Sequence, residues 1–214
     1  VEDLYLPYRP KRKTRASIAK EKGLEPLANL VLMQLTKTPL LKEAEHYISE
    51  EKGVLTAEEA LNGAKDILAE RIAETAEYRT YIRKATFQEG SLDSSARDGN
   101  AESVYEMYYN FTEPVKKAAG HRILALNRGE KEKILTVKIT APEEKILRYL
   151  EKKVITRENP ETARVLREVT EDSYKRLISP AIEREIRSEL TENAEAGAIK
   201  VFGKNLEQLL ICLL

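Results

Sequence analysis

The residues with the clearest chemical capacity are five cations near the start of the chain. They fall within residues 9–15 with no acid among them: Arg9, Lys11, Arg12, Lys13 and Arg15. Such a density of positive charge can neutralise several phosphates and release their counterions. Tyr5 and Tyr8 lie just upstream, where their rings can stack on bases. This first basic segment is therefore interpreted as a nucleic-acid contact. The alternatives are a solvated linker and a segment that pairs with acids elsewhere in the chain.

A second basic segment spans residues 116–138 and carries seven basic and two acidic groups. Its cations are Lys116, Lys117, Arg122, Arg128, Lys131, Lys133 and Lys138. We expect Arg122 and Arg128 to be secondary phosphate contacts, and His121 to make a structural hydrogen bond or contact phosphate. Residues 42–77 are acidic, with four basic and ten acidic groups, and the whole chain has a net charge of zero. The total excludes a globally basic nucleic-acid binder, so any such contact must be local.

Catalytic motifs are missing from the sequence. Gly203 and Lys204 suggest a phosphate loop, but Gly197 stands six residues before Gly203 rather than five, and no Ser or Thr follows the lysine. The single cysteine, Cys212, lies in an apolar run that favours an inert thiol. With two histidines and one cysteine in the chain, a zinc site is not expected. The sequence thus predicts no enzyme activity, no metal site and no cofactor.

The elements that must position the cations are mostly helices. Thr56 and Glu59 form a capping box that opens a long apolar-striped helix, predicted to reach about residue 88 with a break near residues 75–77. Prolines at 26, 142, 160 and 180 fit the first turns of further helices, the last of them interrupted at Gly197. No apolar run approaches the ~18 residues that span a bilayer, which predicts a cytoplasmic protein with no membrane partner.

The region between residues 90 and 140 is predicted to be more varied. Residues 90–100 are rich in Ser, Asp and Gly and are interpreted as a loop, followed by a Tyr-rich helix over 104–109. A helix over 119–128 should end at Gly129, and alternation over 135–139 predicts a strand. A hairpin turning at residues 127–130 is the alternative. The predicted fold is mainly α, an elongated multi-helix array with one short strand or hairpin near residues 133–139.

Two regions are expected along the chain. Residues 1–53 form a basic extended segment with short helices, and residues 54–214 form a helical region with a small β element. The chain begins at Val1 and ends within an apolar run, which we interpret as a piece of a longer protein cut near a domain boundary.

Four blocks of sequence occur in order along nearly the whole chain: EDLYLPYRPKRKTRASIAKEKGLEPLA, EKGVLTAEEALNGAKDILAERIAE, HRILALNRGEKE and VFGKNLEQLL. Together they resemble the Tex family of bacterial transcription accessory proteins. The resemblance implies the N-terminal helical portion of such a protein, truncated before an RNase H-like domain, helix-hairpin-helix modules and an OB-fold RNA-binding domain. It implies binding to RNA or DNA and a role in transcription without established catalysis.

The resemblance leaves the role of this portion open. It is expected to be a non-catalytic scaffold that contacts nucleic acid, with the remaining Tex domains and the transcription machinery as partners. One alternative is a purely structural module, with nucleic-acid binding carried by the OB-fold domain. Another is a protein-docking module that uses the acidic face of Glu58, Glu70 and Glu74.

Overall fold

Helices dominate the computed structural model, which describes residues 13–98 and 102–211 apart from the side chain of Leu210. The helices are α1 (Arg15–Glu21), α2 (Glu25–Met33), α3 (Leu40–Glu45), α4 (Ala57–Glu74), α5 (Ala76–Glu89), α6 (Gly120–Lys131), α7 (Glu143–Val154), α8 (Pro160–Asp172) and α9 (Ser179–Ile211). The strands are β1 (Ser91–Ala96), β2 (Asn110–Pro114) and β3 (Leu135–Thr140). The mainly α fold class is confirmed.

The chain divides into two compact units. Unit 1 contains the described residues up to 75 together with 147–177, and unit 2 contains the described residues of 76–146 and those from 178 onward. The boundary expected after residue 53 stays a prediction. Among the described residues, no helix combines the length and apolarity needed to cross a membrane.

Helix α4 is the centre of unit 1, and α1, α2, α3 and α8 pack against it. The Thr56 side chain accepts a hydrogen bond from the Glu59 N–H at 3.1 Å, so the N-cap half of the predicted capping box is present. The Glu59 carboxylate accepts from the Leu55 N–H at 2.8 Å instead of the Thr56 N–H, so the reciprocal half differs from the prediction. The buried stripe of α4 contains Ala60, Leu61, Ala64, Ile67, Leu68 and Ile72. The helix ends at Glu74 and α5 begins at Ala76, which confirms the predicted break.

A buried amide ties the end of α2 to the segment between α7 and α8. Gln34 has a φ of 56° and is 4% exposed. Its amide nitrogen donates to the Val154 carbonyl at 3.0 Å, and its amide oxygen accepts from the Thr156 N–H at 3.1 Å. These bonds satisfy backbone groups that no regular element pairs, so a polar residue can occupy this buried position.

Unit 2 contains a three-stranded antiparallel sheet in the order β2–β1–β3. The residues of β3 alternate strictly between buried and exposed, as the sequence pattern predicts. Helix α6 packs against β3, and α9 packs against α6. Arg187 of α9 donates to the Val137 carbonyl at 3.2 Å and forms an ion pair with Glu130 of α6, which fixes these two helices on the strand.

Three expectations for local structure are wrong. Residues 91–96 are a central strand rather than a loop, because pairing on both edges outweighs the poor β propensity of Ser and Asp. Only a 3₁₀ turn, Glu106–Tyr108, forms where a Tyr-rich helix was expected, and β2 follows it. Helix α9 passes through Gly197 without a break. One glycine inside a helix costs only about 1 kcal/mol, which neighbouring good helix formers offset.

The turn between α6 and β3 also differs from both alternatives. Gly129 lies inside α6 rather than after it, and β3 pairs with β1 rather than in a local hairpin. A methyl group at Gly129 would lie 2.6 Å from Cδ1 of Leu135. The glycine therefore allows the helix to approach the strand closely.

Candidate nucleic-acid interface

The first basic segment lies only partly within the described residues. Arg9, Lys11 and Arg12 lie outside the described residues. Lys13 is exposed and forms an ion pair with Glu21 of α1 at 3.2 Å. An exposed pair of this kind contributes roughly 0–1 kcal/mol, so it leaves Lys13 accessible to a stronger anion.

Arg15 lies at the start of α1, in an acidic environment. Its charge acts to lower the pKa of both Asp66 and Asp172. Burial raises the pKa of Asp66 above its ordinary value, although Arg176 and Arg15 oppose that change. Asp172 accepts a forked hydrogen bond from Arg176, which lowers the pKa of this carboxyl. Part of the positive potential of Arg15 is thus already balanced within unit 1.

The acidic stretch also contacts the start of α1. The Thr14 hydroxyl donates to a Glu70 carboxylate oxygen at 2.8 Å, and Lys20 lies 3.5 Å from the other oxygen. Lys20 lies outside the first basic segment, so among the cations of that segment only Arg15, whose charge acts on Asp66, is shown to interact with residues 42–77. The two contacts occupy Glu70, one of the three acids expected on a protein-docking face.

Arg122 is paired with a buried carboxylate, Glu113. It forms an ion pair with Glu113, which lies on β2 with an exposed fraction of 8%. Within the described residues, the other oxygen of Glu113 has no hydrogen-bond partner. Because a buried carboxylate without a counter-charge is costly, Arg122 has a structural role in addition to any contact with phosphate.

Arg128 is placed differently, at the exposed end of α6. Lys131 and Lys133 follow it within five residues and are also exposed. In the part of the chain that the structure describes, none of the three forms an ion pair. Cations at a helix C-terminus are favoured by the helix dipole, and these three remain available to a ligand. We call Arg128, Lys131 and Lys133 the α6 terminal cations.

The backbone at this helix end has an unusual residue. Lys133 has a φ of 61°, in the left-handed region. The N–H of Ile134 donates to the Gly129 carbonyl at 2.9 Å, and that of Lys133 donates to the Glu130 carbonyl at 3.0 Å. These two bonds define a Schellman motif, whose left-handed position is normally glycine. A protein with lysine at this position is therefore less stable than one with glycine would be.

The end of α1 gives a direct comparison. Leu24 donates to Ala19 at 3.1 Å and Gly23 donates to Lys20 at 2.9 Å, so the same motif forms there. Its left-handed residue is Gly23, with a φ of 76°. The chain therefore uses the favoured residue at one helix end and a cation at the other. Backbone outliers of this kind occur preferentially at functional sites.

Lys131 and Lys133 belong to the second basic segment but were not among the residues predicted to contact phosphate. No sequence signal distinguishes them from Lys116 or Lys138, because the left-handed conformation is visible only in the backbone. In the described residues, His, Cys, Asp and Glu do not form a group of three that could hold a metal ion. His121 is exposed.

Comparison with known proteins identifies the family. A family model described as Tex central region-like matches residues 36–202. The chain belongs to the Tex family. The resemblance seen in the four sequence blocks is thereby confirmed.

Relatives of this Tex chain come from bacteria and eukaryotes. The uncharacterized protein YdcI of Bacillus subtilis is 51% identical over 99% of the chain, which corresponds to 30% of that protein. The transcriptional accessory protein Tex of Neisseria gonorrhoeae is 33% identical over 99% of the chain and 28% of its own length. The human S1 RNA-binding domain-containing protein 1 is 32% identical over 99% of the chain and 22% of its own length. The chain thus spans less than a third of these relatives.

Proposed function

We propose that this chain is a non-catalytic portion of a Tex-type transcription accessory protein that contacts nucleic acid through exposed cations. The names of its relatives support an association with transcription and RNA. The observation that carries the proposal is the left-handed Lys133, which adds a third exposed cation to Arg128 and Lys131 at a position that favours glycine. These residues present positive charge without an internal partner in the described chain.

The first basic segment is also a proposed phosphate contact. Its five cations, Arg9, Lys11, Arg12, Lys13 and Arg15, are dense enough to bind several phosphates. Arg122 is retained as a secondary contact because 40% of its side chain is exposed beside Glu113. The chemistry is phosphate neutralisation, with no covalent step, metal or cofactor. The remaining Tex domains and the transcription machinery are the proposed partners.

The experiment measures binding of the full 214-residue chain to labelled single-stranded RNA and duplex DNA by fluorescence anisotropy at low salt. One variant replaces the five cations of the first segment with Ala, and a second replaces the α6 terminal cations with Gln. We expect each to weaken binding by about tenfold or more without unfolding the chain. The matched control replaces three exposed cations of unit 1, Lys37, Lys42 and Arg164, and should bind as the unmodified chain does.

Two results would overturn the proposal. One is absence of binding by the unmodified chain at low salt. The other is an affinity that neither cation variant changes.

A purely structural module is the second candidate, and the Lys13–Glu21 ion pair and the position of Arg15 near Asp66 and Asp172 favour it. In that case the cations of the first segment stabilise unit 1 instead of binding phosphate. The five-residue Ala variant would then lower the unfolding midpoint and leave nucleic-acid affinity unchanged. The same set of proteins, measured by denaturation, separates the two candidates.

A further inference from the structure

Three apolar side chains of unit 1 are exposed at the end of α2. Met33 is 63% exposed, Leu35 is 61% exposed and Leu32 is 41% exposed. They fall within four consecutive residues, so the Cα atoms of Leu32 and Leu35 are at most about 11 Å apart. An apolar residue after a left-handed helix cap frequently packs back onto the last turn of the helix. Leu35 follows the left-handed Gln34 and stays exposed, so we call these three apolar residues the α2 terminal patch.

Buried polar contacts hold the backbone of this patch in place. Gln34 lies between Met33 and Leu35, and its amide oxygen accepts from the Arg157 N–H at 3.2 Å, in addition to its bonds with the preceding residues of that segment. The Asn159 side chain donates to the Gln34 carbonyl at 3.3 Å and to the Thr36 carbonyl at 2.7 Å. A surface that is already ordered loses little conformational entropy when a partner binds. The patch is therefore preorganised for an interaction.

The two segments that Gln34 joins are basic. Residues 32–42 and 151–159 together carry five basic and two acidic groups. Lys37, Lys42 and Arg157 are exposed, and none of the three forms an ion pair within the described part of the chain. Positive charge beside an exposed apolar patch favours a partner that is acidic and carries apolar side chains of its own.

An acidic amphipathic helix has both properties. Apolar side chains at every third or fourth position form a stripe that can cover the patch, and acids beside the stripe can reach the lysines. A nucleic acid matches the surface less well, because its charged backbone would lie against apolar side chains and the patch has no aromatic ring on which a base could stack.

We propose that the α2 terminal patch docks an acidic amphipathic helix of a partner protein, with the apolar stripe of that helix on Met33 and Leu35 and its acids on Lys37 and Lys42. This docking does not depend on the phosphate contacts proposed above, because none of these residues takes part in them.

The test titrates the full 214-residue chain with a labelled synthetic peptide of Glu, Ala and Leu. The peptide is about 18 residues long, which allows a helix to form in water, and leucines stand at every third or fourth position. A second peptide has the same composition, with its leucines placed so that no stripe forms. We expect the second peptide to bind at least about tenfold more weakly than the first.

Met33→Gln/Leu35→Ser removes the apolar contact and should weaken binding of the first peptide by about tenfold or more. Leu55→Ser/Met107→Gln is the matched control, because both residues are comparably exposed, and it should bind as the unmodified chain does. Thermal unfolding of both proteins checks that the substitutions leave the fold intact.

Lys37→Gln/Lys42→Gln removes the charge and leaves the apolar patch unchanged. This variant should also bind the first peptide more weakly, and its affinity should depend less on salt. Its affinity for RNA should equal that of the unmodified chain.

Three results would overturn the proposed docking. The first is that the unmodified chain does not bind the striped peptide at about 1 mM. The second is that both peptides bind equally well, and the third is that Met33→Gln/Leu35→Ser binds as well as its control. If that variant instead loses affinity for RNA while its peptide affinity is unchanged, the patch is a nucleic-acid contact and the proposed protein partner is wrong.

Discussion

At the scale of the residue, two helices end in the same motif with different residues at the left-handed position. Gly23 follows α1 and Lys133 follows α6, each with a φ above 60°. A left-handed backbone costs a residue that has a side chain roughly 1–2 kcal/mol. Glycine avoids this cost, but part of its advantage is lost because the unfolded chain has more conformational entropy at a glycine. A lysine in this conformation therefore lowers the free energy of unfolding, and it places an exposed charge at the helix end.

Lys133→Gly is expected to raise the free energy of unfolding by about 0.5–1 kcal/mol and to weaken RNA binding. Chemical denaturation and anisotropy on the same preparation give the two numbers. The reverse change at the matched position, Gly23→Lys, should lower stability by a similar amount. A Lys133→Gly protein that is more stable and binds RNA as well as before would show that this cation does not contact phosphate.

The Asp172–Arg176 pair makes unit 1 sensitive to acid. Arg176 lowers the pKa of Asp172, with one bond of the fork at 2.9 Å. A depressed folded-state pKa contributes stability that is complete above the unfolded pKa of about 3.9 and is lost as pH falls through the folded value. Asp172→Asn should therefore cost up to about 1 kcal/mol at neutral pH, since the pair is partly exposed. In denaturation curves the difference should shrink as pH falls below the unfolded pKa and Asp172 becomes protonated. A difference that does not change with pH would exclude an electrostatic origin.

At the scale of the element, predictions were correct where the signal came from residues that are neighbours in the sequence. The α4 cap, the break before α5 and the alternation of β3 are carried by neighbouring residues, and all three are confirmed. Strand β1 was missed because its sequence, SLDSSA, favours turns, and it becomes a strand only between two partners distant in sequence. Part of the candidate site was missed for a similar reason. The charge of Lys133 is in the sequence, but a lysine gives no signal of the left-handed backbone that it adopts after α6.

Two glycines inside helices provide a matched test of the packing of α6 on β3. Gly197 has open space around it, whereas a methyl group at Gly129 would collide with the buried Leu135. Gly197→Ala should stabilise the protein by about 0.5–1 kcal/mol through helix propensity. Gly129→Ala should destabilise it by about 1–3 kcal/mol, because Leu135 must move. Thermal unfolding of both variants tests whether the two changes in stability have opposite signs. Equal effects would show that α6 does not approach β3 as closely as described.

At the scale of the whole molecule, charge is balanced in total and uneven in detail. The net charge is zero, and many cations of both units are paired with acids of the same unit. Local groups of exposed cations, rather than an overall positive field, must therefore provide any affinity for nucleic acid. The chain spans less than a third of its relatives, so its own contribution has to be measured on the chain itself.

The measurement that tests the central claim most directly is a salt series on the unmodified 214-residue chain with single-stranded RNA. Neutralisation of four to seven phosphates predicts a log–log slope of affinity against salt between about −3 and −5. A slope in that range, reduced by about 2 when the three α6 terminal cations are replaced with Gln, is the expected result. Binding that is absent at low salt, or that does not depend on salt, would contradict the account and leave this chain as a structural part of its Tex protein.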